Sequence, residues 1–319
     1  MSCRSSSALP PQRTLSEICE AVVNDDVDCV RRILQELVHP YPSSLTLPLF
    51  VASETGNAGV VQILIEANAE KDKADQAGRT PLFIASRRGC TEPVRFLCES
   101  GADKDKADAE SWTPLCVASF RGNTNVVVAL CKNGADKDKA DCDGWTPLFI
   151  ASRMGHMDAV RVLCESRADT NKADRYGRTP LCAACEAGWE EAVRMLCESG
   201  ADKDNADQAG RTPLYLASRH GKMEAVRILC ESGADKDKAD EESWTPLCVA
   251  SFRGHTNVVV ALCKNGADKD KADCDGWTPL LIAYRMMHVD AARILGESGA
   301  EEDRVDEGGE PPVNTLRRV

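Results

Sequence analysis

Thr80-Pro81-Leu82-Phe83-Ile84-Ala85-Ser86-Arg87-Arg88-Gly89 reads as one short helix with a start and a stop written into it. Thr80 can cap the first turn through its hydroxyl, and Pro81 suits the first helical position, where an N–H has no partner to lose. Arg87 and Arg88 fall in the last turn, where positive charge suits the helix dipole, and Gly89 can close the helix in a left-handed conformation. Pro93-Val94-Arg95-Phe96-Leu97-Cys98 follows as a second helix, ended by Gly101. A polar, turn-rich finger, Ala102-Asp103-Lys104-Asp105-Lys106-Ala107-Asp108, completes the unit.

The unit recurs. Thr-Pro-Leu stands at Thr80, Thr113, Thr146, Thr179, Thr212, Thr245 and Thr278, each step being 33 residues. Leu47-Pro48-Leu49 extends the phase backward, and Glu310-Pro311-Pro312-Val313 is a truncated relic ahead. Helices this short cannot bury their apolar faces alone and must stack on neighbours. The pattern Thr-Pro-Leu-x-x-Ala, Gly, then Val-x-x-Leu-x-x-x-Gly-Ala-Asp resembles the ankyrin repeat over roughly residues 14–313. The resemblance implies an all-α solenoid of stacked helix–turn–helix units with extended, β-hairpin-like fingers.

The chain departs from that family at two places. Where the family has His after Thr-Pro-Leu, this chain has Phe83, Cys116, Phe149, Cys182, Tyr215, Cys248 and Leu281, so apolar contact is expected to replace hydrogen bonds between repeats. The Gly two residues before Thr is Ser111 and Ser243 in two units, whose finger turns should therefore differ. A longer period is also present: residues 111–148 and 243–280 differ only at Asn123 and His255, four repeats apart.

The expected organisation is a disordered segment over 1–13, a capping repeat over 14–41, eight repeats over 42–305, and a truncated repeat with tail over 306–319. Thr14-Leu15-Ser16-Glu17 has capping-box spacing. Ala21, Val30, Ile33 and Leu34 match Ala52, Val61, Leu64 and Ile65 at a spacing of 31, which shortens the first finger to His39-Pro40-Tyr41-Pro42. In the last unit Met287 replaces the inter-helix Gly.

Only 5% of residues are aromatic against 43% hydrophobic, which favours many thin aliphatic cores over one deep core. A net charge of −12 disfavours nucleic acid and anionic membrane surfaces as partners. The chain shows neither a signal-peptide pattern nor an apolar run long enough to span a bilayer. The sixteen cysteines then point to the reducing cytoplasm, with the nucleus as the other setting.

Candidate chemistry is thin. Cys98, Cys131, Cys164, Cys197, Cys230 and Cys263 share one helical phase and read as small core hydrophobes. Cys182-Ala183-Ala184-Cys185 lies inside a helix and lacks a second pair at zinc spacing. The finger Asp136-Lys137-Asp138-Lys139-Ala140-Asp141 fails the EF-hand pattern, with Ala140 at position 5, Asp141 at position 6 and Pro147 at position 12. The five histidines scatter without a nucleophile, so no catalytic residue, metal site or cofactor is expected.

A binding surface remains. The resemblance implies docking on the fingers and the adjoining first-helix face. There the sequence places Arg79, Trp112, Trp145, Arg178, Arg211, Trp244 and Trp277, with Arg87, Arg88, Phe120, Arg121, Arg153, Arg219, Phe252 and Arg253. Aromatic side chains and Arg are enriched at interface centres. The expected function is a non-enzymatic scaffold, a monomer by default, that binds other proteins bearing apolar and acidic groups. The alternatives are a substrate-recognition subunit of a ubiquitin ligase or phosphatase, catalysis through Cys182 or Cys185, and a membrane or cytoskeletal anchor.

Overall fold

A computed structural model describes residues 12–37 and 42–301. These form two compact units, one running to Ile150 and including Glu165–Ala168, the other taking Ala151–Cys164 and continuing from Asp169. The expectations for residues 1–11, for His39-Pro40-Tyr41 and for the relic at Glu310 lie outside the described residues.

Eighteen α-helices in nine pairs make up the described chain, with a short 3₁₀ turn at Pro42–Leu45. The first unit holds α1 (Gln12–Val23), α2 (Val27–Glu36), α3 (Thr46–Thr55), α4 (Ala58–Glu66), α5 (Pro81–Arg88), α6 (Thr91–Glu99), α7 (Pro114–Arg121) and α8 (Thr124–Lys132). Helix α9 (Pro147–Met154) starts in the first unit and ends in the second, and α10 (Met157–Glu165) follows it. The second unit continues with α11 (Pro180–Ala187), α12 (Glu190–Glu198), α13 (Pro213–Arg219), α14 (Met223–Glu231), α15 (Pro246–Arg253), α16 (Thr256–Lys264), α17 (Pro279–Arg285) and α18 (Val289–Glu297). Helix α1 begins at Gln12, so Thr14 lies within it rather than at its cap.

The start signal works as its chemistry requires. Each of the seven threonines is buried, and its hydroxyl accepts the backbone N–H three residues on, as from Phe83 to Thr80 at 3.2 Å and from Cys248 to Thr245 at 3.1 Å. Within each unit first helices stack on first helices (α1 on α3, α3 on α5, α5 on α7; α11 on α13, α13 on α15, α15 on α17), and second helices do likewise. From α5 every residue between Pro81 and Ser86 is buried, whereas α6 buries only Pro93, Val94, Leu97 and Cys98. A fully buried Leu such as Leu97 or Leu130 contributes about 1.5–3 kcal/mol, so the array is held by many small equal terms.

Three of the four terminal matches are core positions, whereas Leu34 and Ile65 are only half-buried. Ala21, Val30 and Ile33 are buried, as are Ala52, Val61 and Leu64. Ser111 and Ser243 adopt φ of 64°, in the same left-handed region as the glycines they replace, and Ser111 N–H still donates to Asp108 O at 3.0 Å. The finger turn is therefore preserved there, not altered. Met287 likewise takes φ of 61° at the inter-helix position.

No strand forms among the described residues. Each finger folds back on itself, as where Asp75 N–H donates to Arg79 O at 2.9 Å, but neighbouring fingers share only isolated backbone bonds, such as Ala109 N–H to Ala77 O. Carboxylates replace the missing ladder. Asp72 accepts Asp103 N–H at 2.8 Å, Asp105 accepts Asp136 N–H at 2.9 Å, and Asp204 accepts Asp235 N–H at 2.9 Å. Lysines lace the same fingers, with Lys106 Nζ on Asp72 O and Lys139 Nζ on Asp105 O, both at 2.8 Å. The Asp-Lys runs thus hold one repeat to the next.

Candidate interaction face

The finger residue before each Thr-Pro-Leu is placed by a buttress. Asp75 Oδ1 accepts the N–H groups of Ala77 and Arg79, both at 2.9 Å. Arg79 Nε and Nη2 then donate to Asp75 Oδ2 at 2.8 and 2.7 Å. Arg178 repeats this with Asp174, and Arg211 with Asp207. Burial pushes the Asp75 carboxyl up, but the bonds from Arg79 and Ala77 outweigh it and hold it below the usual range. Arg88 pairs with Glu54 across adjacent repeats. Arg79, Arg88, Arg178 and Arg211 are therefore neutralised where they stand, and the basic stripe is narrower than a count of arginines implies.

Tryptophan at this position does something else. All four finger tryptophans are half-buried. Trp112 packs on a buried cluster of Phe83, Ile84 and Val117, and Trp244 on one of Cys182, Tyr215, Leu216 and Val249. Each also meets the end of the helix it precedes. Trp112 lies edge-on to Phe120, centroids 5.3 Å apart at 81°, and Trp244 to Phe252, 5.2 Å at 79°. The Arg121 guanidinium covers the Phe120 ring at 5.6 Å, and Arg253 covers Phe252 at 5.7 Å. Trp277 carries Arg285 over its ring at 4.6 Å, whereas Trp145 leans on Phe149 at 5.4 Å. Arg121, Arg153 and Arg253 are exposed, and Arg87 and Arg219 are half-buried.

The structure thus assembles Trp112, Phe120 and Arg121 into one cluster and Trp244, Phe252 and Arg253 into another. It draws Arg79, Arg88, Arg178 and Arg211 into internal ion pairs instead.

The residue after the inter-helix Gly carries a role that the sequence reading missed. Asn123 Nδ2 donates to Ser86 O at 2.9 Å and to Arg87 O at 3.2 Å. Trp189 Nε1 donates to Arg153 O at 3.2 Å, and His255 and His288 place Nε2 at 3.1 Å from Arg219 O and Phe252 O. These side chains satisfy the open carbonyls at the end of the preceding first helix. His156, His255 and His288 are therefore not scattered: they share this 33-residue phase with Trp189 and Lys222, which was the signal available.

Hydrogen bonds between repeats also persist where apolar contact was expected. The thiols of Cys116, Cys182 and Cys248 lie 3.6, 4.0 and 3.7 Å from the finger carbonyls of Lys139, Asn205 and Lys271. Burial of the Tyr215 hydroxyl, together with the Asp240 carboxylate, pushes its ionisation up. Burial holds the thiols of Cys98, Cys116, Cys182, Cys230 and Cys248 at about 11, and pushes fully enclosed Cys185 well up too. Protonated and enclosed, they are poor nucleophiles. No group of three or more His, Cys, Asp or Glu suited to a metal occurs among the described residues, and no helix there is long and apolar enough to cross a membrane.

Repeated helix pairs carry Trp, Phe and Arg along their fingers and first-helix ends. The chain belongs to the ankyrin repeat family: the family model described as ankyrin repeats (3 copies) matches residues 18–108, 101–174, 167–240 and 234–306. Its structure is similar to the crystal structure of the ankyrin repeat domain of Bcl-3, described as a unique member of the IkappaB protein family. The two share 30% identity with a TM-score of 0.63, over 68% of this chain and 100% of that one. No curated protein matches the chain. Ankyrin repeats are protein–protein interaction modules built on a non-catalytic fold.

Proposed function

We propose that this chain is a protein–protein interaction scaffold that grips partner segments bearing apolar and acidic side chains along its first-helix ends and fingers. One observation carries the reading. Arg121 and Arg253, exposed on a chain of net charge −12, make no ion pair among the described residues, and each sits on an aromatic cluster. An exposed guanidinium held over a ring, with an apolar lid beside it, offers a partner both a carboxylate contact and a dry contact surface. The abundance of free thiols and the acidic balance support residence in a reducing compartment and a protein rather than nucleic-acid partner.

Trp112 and Trp244 pack on the core, so truncating them mixes binding with stability. The clean test reverses the exposed charges. Partner capture by the Arg121→Glu/Arg253→Glu double variant should fall by about 10-fold or more, the loss of a central interface contact or two, with the helical melt unchanged. Equal capture of the same proteins by both forms would remove this face from the mechanism.

A further inference from the structure

The two aromatic–arginine clusters correspond residue by residue at a spacing of 132, and the correspondence extends into their surroundings. Trp112, Val117, Phe120 and Arg121 match Trp244, Val249, Phe252 and Arg253 without a substitution. Their ring geometries agree within 0.1 Å and 2°. The floors correspond as well, Phe83 and Ile84 under one cluster standing where Tyr215 and Leu216 stand under the other. Arg87 and Arg219, from the preceding repeat, make no ion pair among the described residues. The single substitution within the long duplicated stretch, Asn123 against His255, preserves its task. Asn123 donates to the carbonyl of Arg87, and His255 reaches the carbonyl of Arg219, its counterpart.

On the reading of the face given above, we infer that the chain carries two equivalent docking sites, one in each unit, that take the same ligand. That ligand is a short acidic peptide segment with an aromatic or aliphatic anchor. Charge complementarity selects it. The finger tips flanking the clusters in sequence carry Glu110, Asp143, Glu241, Glu242 and Asp275, so the cationic groups that the sites offer to a bound chain's carboxylates are Arg87 and Arg121, or Arg219 and Arg253. A polyanion such as nucleic acid would meet repulsion from the same tips. The sites differ at one edge. In the first unit a cavity of about 180 Å³ is lined by Phe50 and Ile84 together with Glu54, Asp75, Arg79, Arg87 and Arg88, whereas the second unit has Cys182 and His220 in place of Phe50 and Arg88.

The test uses the full chain. Random dodecamer peptides are selected on it, the consensus peptide is synthesised, and its binding is measured by titration calorimetry. The expected consensus combines Asp or Glu with an aromatic or aliphatic residue, and binds at two peptides per chain. Arg121→Glu and Arg253→Glu should each reduce this to one, leaving the remaining site within about threefold of its original affinity, since distant sites behave independently. The double variant should lose binding by about 10-fold or more at both sites, with an unchanged helical melt. One peptide per wild-type chain, or one single variant abolishing all binding, would overturn the twin sites while leaving a docking face in place. Binding that survives the double variant, or a selection yielding no acidic–apolar consensus, would overturn the face itself and the twin sites with it.

Discussion

Two glycines in the second unit separate the reasons a repeat keeps glycine at its punctuation marks. Gly155 and Gly200 both have positive φ, 76° and 86°. A Cβ on Gly200 would meet nothing within 4 Å, but one on Gly155 would lie 2.5 Å from Cε2 of Trp189, the indole whose Nε1 caps the preceding helix at Arg153 O. Ser111, Ser243 and Met287 show that the left-handed backbone itself accepts a side chain elsewhere in the array. Gly200→Ala should therefore cost only conformational strain, about 1 kcal/mol. Gly155→Ala adds displacement of the indole and loss of its hydrogen bond, for a total of about 2–3 kcal/mol. Urea unfolding of the two variants measures the difference; equal losses would mean the indole yields without cost and the cap at Arg153 contributes nothing.

At the scale of the finger, the carboxylate ladder is the device that sequence reasoning passed over. Asp105→Ala removes the acceptor of Asp136 N–H in an exposed finger, so the expected loss is about 0.5–1.5 kcal/mol with faster hydrogen exchange at Asp136. Asp105→Asn should keep both near the native values, because Asn171 already holds this position in another repeat and accepts Asp202 N–H at 2.8 Å. Loss of protection in the Asn variant as well would show that charge, not the hydrogen bond, joins the fingers. What was legible in the sequence was whatever depends on a residue and its immediate backbone: the Thr80 cap, Pro81, the 33-residue phase and the buried Leu97. The cap and the proline act over three or four residues, and the 33-residue phase repeats that local pattern from unit to unit, which marks Leu97 as a stacking position. The state of Arg79 was not legible as long as it was counted as an exposed cation. Its partner Asp75 lies four residues earlier in the same turn, and an Asp-x-x-x-Arg pattern, repeated at 174/178 and 207/211, was the available clue. The bond from Asp103 to Asp72 has a weaker clue, since it needs two fingers to lie side by side before either Asp has a geometric meaning.

Across the whole molecule, the cysteines supply a probe of how the repeats hold together, because their environments differ sharply within one chemistry. Cys142 and Cys274 are exposed at finger tips, whereas Cys98, Cys116, Cys182, Cys185, Cys230 and Cys248 are buried, the last group including the two that a redox or catalytic reading would need. Thiolate, not thiol, attacks an alkylating reagent, so enclosure and an ionisation near 11 slow Cys116, Cys182 and Cys248 twice over. Each repeat buries its apolar face only against its neighbours, so such a thiol becomes reactive when an adjoining repeat opens, not when the surface fluctuates. Iodoacetamide labelling followed by peptide mass mapping should therefore modify Cys142 and Cys274 first, with the buried six slower by about 10³-fold or more, the scale set by a folding equilibrium of several kcal/mol. Urea below the main transition should release the buried cysteines in clusters that follow repeat neighbours rather than singly. Fast labelling of Cys182 or Cys185 in the native chain would break this picture at its centre: it would require a solvent path into α11, and with it an accessible thiol site that stacked, non-catalytic repeats do not provide.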